Sequence, residues 1–249
     1  MNEFARYEKQ ILFKPIGISG QRKLQKSRVG IIGSGATGSN LANILCRSGI
    51  GKIIIADQDR IELSNLQRQM LFNEKDIGHP KATRAMHRLS KINSEISVEG
   101  FFNKVTEENF SEIFADCDLI FDATDNFPTR FMLNRLCLKS GIPWVFTGVT
   151  ASSGQSFLFV PGKTACLNCL IPEETQSDNF PTVHNSGIIT SIVTIIASIS
   201  AVSGIRFLVE KYFDSCLKYY DAWDHEFRKM RVEPSDSCSS CRDQKLRRK

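Results

Sequence analysis

Apolar residues fall in short runs separated by helix-length segments of mixed character. Val29–Ile32, Lys52–Ala56, Ile96–Phe101, Asp118–Phe121 and Pro143–Thr147 are each four to six residues long and rich in Ile, Val and Phe. Runs of this length and composition predict strands. Between or after them, Ser39–Ser48, Thr106–Phe114 and Phe127–Ser140 predict helices. Strands alternating with helices make a doubly wound, mainly parallel sheet of the α/β class.

The pattern changes beyond Thr150. Gly154–Val160 reads as an antiparallel strand, and further strands are expected near Leu217–Tyr220 and Glu226–Met230, so the parallel sheet is extended by antiparallel strands. Gly187–Ile205 is uncharged and long enough to cross a membrane. Ser and Thr punctuate it, Arg206 ends it and no companion segment exists, so it predicts a buried core helix and no membrane. The polar stretch Ile171–Asn185 predicts a loop. At the other end, Phe4–Leu12 is amphipathic and a short helix is expected near Gly20–Gln25. Without an internal repeat or a Gly- or Pro-rich linker, one continuous domain is expected over 1–249. The change of pattern divides it into halves of about 1–150 and 151–249.

Composition narrows this only a little. With 249 residues, 41% hydrophobic and 24% charged, the chain is long enough for one large core. The net charge of +5 is modest and favours acidic partners. The basic end Lys245–Lys249 reads as a disordered tail, with no nucleic acid expected. Met1–Gln10 has no apolar leader pattern, so a cytoplasmic location is expected.

Eight cysteines divide by spacing. Cys46, Cys117, Cys137 and Cys216 stand alone in apolar contexts as small core residues. Cys166-x-x-Cys169 and Cys238-x-x-Cys241 form two knuckles whose four thiolates suit a tetrahedral structural zinc, a clip that would fasten the C-terminus to the sheet.

The chemistry begins at Gly33-x-Gly35-x-x-Gly38, directly after the first strand. Gly33 permits a tight turn, Gly35 lets a phosphate approach the backbone, and Gly38 lets the helix pack close to its strand, as in Rossmann-like folds. The helix start favours an anion. Asp57, just past the second strand, stands where an acidic side chain takes ribose hydroxyls. Taken alone, this pairing leaves NAD, FAD and ATP open. Ser64-Asn65-Leu66-Gln67-Arg68-Gln69 offers many polar groups beyond a strand's carboxyl end, where ligand contacts gather. Lys81 opens a helix after Pro80, at the end where the dipole disfavours a cation, so its position asks for an anionic partner. Asp122 and Asp125 follow another strand on the same edge, where carboxylates can hold Mg2+ against phosphates.

Together with Arg6-Tyr7-x-Lys9-Gln10-Ile11, Asp57-x-Asp59, His79-Pro80-Lys81 and Thr124-Asp125-Asn126, these motifs resemble the ThiF/MoeB/HesA family, prokaryotic relatives of the ubiquitin-activating enzymes. The resemblance covers nearly the whole chain. It implies an adenylyltransferase that uses ATP, Mg2+ and Zn2+, acts as a homodimer, and adenylates the C-terminal glycine carboxylate of a small ubiquitin-like sulfur-carrier protein of a thiamin or molybdopterin type pathway.

By position, the resemblance implies that Gly33, Gly35, Ala36 and Gly38 lie against the nucleotide and Asp57 on the ribose. Ser64, Asn65, Leu66, Gln67 and Arg68 belong to the same pocket, with Asn65, Arg68 and Lys81 on the phosphates. Asp125 holds magnesium, Asn126 lines the pocket, and Arg6 and Lys9 reach the partner subunit's triphosphate.

Three positions depart from the family pattern: Lys9 for arginine, Ala36 for glycine, and Val183 where many members carry a loop cysteine. Lysine keeps a charge but loses the bidentate fork that suits phosphate. Without a loop cysteine, no thioester is expected, and the adenylate passes to an external sulfur donor or another acceptor. The alternative within the same chemistry is adenylation of a peptide or small-metabolite carboxylate. An NAD oxidoreductase leaves Arg68, Lys81, Asp125 and the knuckles without roles. A zinc-ribbon nucleic-acid module would place its knuckles closer together.

Overall fold

The structure is a computed structural model that describes residues 4–173 and 186–241. Eight strands form one sheet in the order β3-β2-β1-β4-β5-β6-β7-β8. The strands are β1 (Arg28–Ile32), β2 (Lys52–Ala56), β3 (Ser97–Phe101), β4 (Leu119–Asp122), β5 (Trp144–Thr150), β6 (Ser153–Phe159), β7 (Cys216–Asp221) and β8 (Glu226–Arg231). Pairings among β1 to β5 are parallel, and β5 to β8 are antiparallel, as the change of pattern after Thr150 predicts. Helices are α1 (Glu8–Ile11), α2 (Gly17–Lys26), α3 (Ala36–Arg47), α4 (Lys81–Ile92), α5 (Glu107–Phe114), α6 (Phe127–Ser140), α7 (Leu167–Leu170) and α8 (Thr190–Glu210). The loop expected over Ile171–Asn185 and the tail expected over Lys245–Lys249 lie largely or wholly outside the described residues.

Successive residues of a strand point to opposite faces, and in the central strands β1, β2 and β4 both faces are buried. Val29, Ile31, Ile53, Ile55, Leu119, Phe121 and Val145 pack with α3, α4 and α8; Ile32, Ile54, Ile120, Trp144 and Phe146 pack with α5 and α6. Gly30 makes room for this second layer, because a Cβ there would lie 2.7 Å from the Phe114 ring. Trp144 and Phe159 stack with ring centroids 4.6 Å apart.

The uncharged run forms α8, a core helix lying across the sheet. Ile192, Val193, Ile196, Ala197 and Ala201 are buried, and a Cβ on Gly204 would lie 2.4 Å from the Phe121 ring. Its one deeply buried hydroxyl is satisfied: Ser200 donates to Ser156 Oγ at 2.8 Å and lies 3.0 Å from Thr147 Oγ1. A lipid-facing helix has no use for such partners; this one ties β5 to β6.

The knuckles close the far end. Sγ–Sγ distances are 3.9 Å for Cys166–Cys169, 3.6 Å for Cys166–Cys238 and 3.5 Å for Cys169–Cys241, and all four sulfurs lie within 4.8 Å of one another. A disulfide needs about 2.05 Å. Four sulfurs at about 2.3 Å from one ion stand about 3.8 Å apart, so the set fits tetrahedral zinc. Burial and the neighbouring Cys169 push the Cys166 thiol up to about 12. A divalent cation reverses that preference and holds the thiolate. Asn168 Nδ2 donates to Ser240 Oγ at 2.6 Å, and Leu167 N donates to Asn134 Oδ1 at 3.0 Å, tying the clip to α6.

A second fastening lies beside α4. Asp76, wholly buried, accepts from Asn73 N at 2.9 Å and from the guanidinium groups of Arg84 and Arg88. Burial alone would push its carboxyl up; the Asn73 N–H and the two guanidinium groups outweigh burial and hold it below the usual range.

Two outcomes are expected. Purified protein carries one zinc per chain by elemental analysis. Cys166→Ser releases it and lowers the melting temperature, since zinc–thiolate sites supply on the order of 10 kcal/mol to folding; a folded, metal-loaded variant would overturn the clip. Because the Asp76 pKa is lower folded than unfolded, its stabilisation is whole above about pH 4 and is lost as pH falls through the folded value. Thermal melts taken at falling pH should therefore show an acid loss of stability, made shallower in Asp76→Asn.

Candidate functional site

The strand order reverses at β1, whose neighbours are β2 and β4, so the segments leaving β1 and β4 diverge and open a crevice at their carboxyl ends. Ile32 and Asp122 pair as the last residues of β1 and β4, so the turn after one faces the loop after the other.

The turn needs its glycines. Gly33 has φ of +92°, and a Cβ on it would lie 2.7 Å from the Ala123 carbonyl oxygen. A Cβ on Gly38 would lie 1.9 Å from the Gly33 carbonyl oxygen, so helix and turn touch backbone to backbone. Gly35 is different: a Cβ there would meet only Gln69 Nε2 at 3.8 Å, leaving its face open to a ligand. Helix α3 begins at Ala36 with no side chain capping it, so its first N–H groups are free for an anion. Ala36 carries its methyl on a half-buried position, and its carbonyl accepts from Asn40 Nδ2 at 2.9 Å. Among the described residues the buried Ser34 Oγ and Gln69 Oε1 lack hydrogen-bond partners. The Ser34 hydroxyl can donate to a phosphate oxygen, while Gln69 Oε1 accepts from an N–H or O–H, so the pair fits a polar ligand carrying both kinds of group.

A chain of hydrogen bonds carries the cradle to Lys81. Asp57 accepts from Ser34 N at 2.6 Å and from Asp59 N at 2.7 Å. Burial pushes the Asp57 carboxyl up, opposed by those two N–H groups and the charge of Lys81. Asp57 thus braces the turn, using one lone pair of each oxygen on backbone. Lys81 N donates to Asp59 O at 2.9 Å, and Lys81 Nζ donates to Asp59 Oδ2 at 2.9 Å. The Lys81 side chain is 8% exposed while that of Asp59 is 58% exposed. The anionic partner that the position of Lys81 calls for is therefore, in the protein alone, Asp59. Sequence reasoning quoted Asp59 in its motif but gave it no role.

The segment 63–69 flanks the cradle. Asn65 is buried, with Oδ1 accepting from Glu62 N at 3.2 Å, so its side chain shapes the turn. Arg68 Nη1 donates to Ser64 O at 3.0 Å, which folds the guanidinium back along its own turn. Ser64 is exposed, and Leu66 packs on the core. Gln67 fastens the segment to the start of α8: its Nε2 donates to Thr190 Oγ1 at 2.9 Å, and its carbonyl accepts from the same hydroxyl at 2.6 Å.

Opposite, Asp125 and Asn126 are exposed in the loop after β4, and Asn126 caps α6 by accepting from Thr129 N at 3.0 Å. The two carboxylates of this loop part company. Asp122 is wholly buried, accepts from Thr124 N at 2.9 Å and Thr124 Oγ1 at 2.6 Å, and pairs with Arg130 Nε at 3.2 Å. This corrects the expectation that Asp122 joins Asp125 in holding a metal: its oxygens are turned into the protein by the guanidinium. Arg130, which no spacing pattern singles out, is the residue that sequence reasoning missed.

Arg6 and Lys9 are not brought to this crevice within one chain. Arg6 donates to Ile92 O at 3.2 Å and pairs with Glu95, at the end of α4 opposite Lys81. The helix separates them by about 16 Å at 1.5 Å per residue. The neighbouring Tyr7 is pinned there too, accepting from Asn93 Nδ2 at 2.8 Å. Lys9 is 84% exposed and pairs only with the adjacent Glu8 at 3.4 Å among the described residues.

Comparison with known proteins matches this arrangement to one family. The ThiF family model matches residues 7–241. The sulfur carrier protein ThiS adenylyltransferase of Bacillus subtilis (strain 168) is 40% identical over 240 residues, 95% of this chain and 71% of that protein. The sulfur carrier protein adenylyltransferase of Thermus thermophilus is 32% identical over 99% of this chain and 93% of its own length. Among solved structures, Escherichia coli MccB with ATP superposes with a TM-score of 0.86 and 26% identity, over 96% of this chain and 74% of that one. With the family model matched from Tyr7 to Cys241 and these relatives aligned over most of their lengths, the chain belongs to the ThiF family.

Proposed function

We propose that this protein adenylates the C-terminal glycine carboxylate of a small ubiquitin-like sulfur-carrier protein with ATP, releasing pyrophosphate. The observation that supports the reading is the open cradle at Gly33–Gly38, joined by hydrogen bonds through Asp57 and Asp59 to Lys81 and touching the backbone of the loop that bears the exposed Asp125. The Bacillus subtilis relative supports the choice of substrate, being a sulfur carrier protein ThiS adenylyltransferase.

The chemistry follows from charge. A carboxylate oxygen attacks the α-phosphorus of ATP, the bond to the bridging oxygen breaks, and pyrophosphate leaves with its electron pair. Two anions must be held together for this, so positioning and cationic neutralisation supply most of the acceleration. The Gly35 backbone and the open start of α3 receive phosphate; Lys81, released from Asp59, and Arg68 face the triphosphate; Asp57 and Asn65 take the ribose side and the phosphates. Asp125 holds Mg2+, which when bound neutralises phosphate charge, and Asn126 lines the same wall.

Arg6, held at the far end of α4 from its own Lys81, and the exposed Lys9 three residues on serve the partner's crevice in a homodimer. Residues 171–185 contain no cysteine, so the acyl-adenylate passes to an external sulfur donor or another acceptor without a thioester on that segment.

Pyrophosphate exchange tests the reading. Exchange is expected with a Gly-Gly-ended carrier and to fall by about 100-fold or more in Asp125→Ala; exchange with a free peptide alone would overturn the choice of substrate. Mixed dimers of Lys9→Ala and Asp125→Ala subunits should recover part of the activity that each variant lacks alone. No recovery would refute action across the dimer.

A further inference from the structure

Asp125 stands on a short exposed loop, and among the described residues its side chain is met only by Asn126 Nδ2 at 3.3 Å, its neighbour in sequence. What is held is the residue before it. Thr124 is gripped at three atoms by two buried groups. Its N–H and hydroxyl both donate to Asp122 Oδ1, at 2.9 and 2.6 Å, and its carbonyl accepts from Arg130 Nη2 at 2.5 Å. Arg130 Nε closes the ring on Asp122 Oδ2 at 3.2 Å, and Nη2 also reaches Thr147 O at 3.4 Å in the middle of β5. The guanidinium is fixed in turn by the rings of Phe127 and Phe146, 5.2 and 4.9 Å from its central carbon.

This arrangement is a poor device for stability. A buried ion pair loses hydration on both sides, and well-packed apolar residues often do as well. It is a good device for geometry, because a planar fork fixes two acceptors at once.

We propose that Arg130 and Asp122 are positioning residues that set the Asp125 carboxylate against the nucleotide's metal by clamping Thr124 at its N–H, its hydroxyl and its carbonyl. The inference rests on the adenylation reading of the crevice and adds to it the residues that aim the metal ligand. Ligand supports of this kind are worth 10- to 100-fold in metal affinity or activity.

The test uses Arg130→Lys, which keeps the buried charge balance but loses the fork. Mn2+ binding in the presence of α,β-methylene-ATP, followed by electron paramagnetic resonance, is expected to weaken by about 10- to 100-fold. Affinity for the analogue without metal should stay at the wild-type value. The half-saturating Mg2+ concentration in pyrophosphate exchange should rise in parallel.

The double variant Asp122→Asn/Arg130→Gln removes both buried charges together and carries the same measurement should lysine not be tolerated. Weak Mn2+ binding with a near wild-type melting temperature supports positioning. A lowered melting temperature with wild-type Mn2+ affinity refutes it and leaves a structural pair. If the wild-type protein binds no Mn2+ with the analogue, or Asp125→Ala binds it equally well, the underlying reading of Asp125 fails instead.

Discussion

The backbone contact between the turn after β1 and the two elements beside it is the constraint on which the site depends. Gly38 lies so close to the Gly33 carbonyl that no side chain fits between them, and a Cβ on Gly33 would also crowd the Ala123 carbonyl, at 2.7 Å. One contact seats α3 on its own strand, and the other seats the β1 turn against the loop after β4. The open start of α3 and the loop bearing Asp125 are therefore set at a fixed spacing by backbone, which cannot change rotamer. Side chains then add to a wall already built: Asp57 braces Ser34, and Asp59 holds Lys81.

The half of that contact between Gly33 and Gly38 was legible in the sequence because it is local. A glycine pattern placed between an apolar strand and a helix has one economical structure, and the alternation of strands and helices fixes where it sits in the sheet. The change after Thr150 was legible for the same reason. Element ends moved by a few residues: the helix expected from Ser39 begins at Ala36, and the long helix begins at Thr190 and runs on to Glu210. Arg206 does not stop α8: Phe207, Leu208 and Val209 beyond it are buried in the core, and the Arg206 guanidinium lies over the Tyr212 ring at 3.7 Å.

What the sequence hid was the use of each charge. Asp122 and Asp125 look alike in sequence, both carboxylates beyond a strand, yet one is buried in a guanidinium clamp and the other faces solvent. The difference is made by Arg130, a turn into the next helix, whose charge has no periodic signature. Asp59 was hidden similarly, since its partner Lys81 comes from an element 22 residues away. Nothing local to Arg6 or Lys9 shows that α4 stands between them and Lys81. Only the tertiary position of Ile92 and Glu95 does.

One helix links these otherwise separate devices. Asn126, Arg130 and Asn134 recur at intervals of four along the start of α6 and so lie on one face. Asn126 caps the helix and borders the crevice, Arg130 clamps Thr124, and Asn134 accepts from Leu167 N within the first cysteine knuckle. The knuckle in turn holds the C-terminal segment through Cys238 and Cys241. Zinc held by the four cysteines would thus fix the helix whose first turn follows the loop bearing Asp125. Loosening the clip should be felt at Asp125 through a rigid rod rather than through the sheet. That connection gives the zinc knuckles a reason to be embedded in an α/β core, where a free-standing ribbon would give the crevice no support.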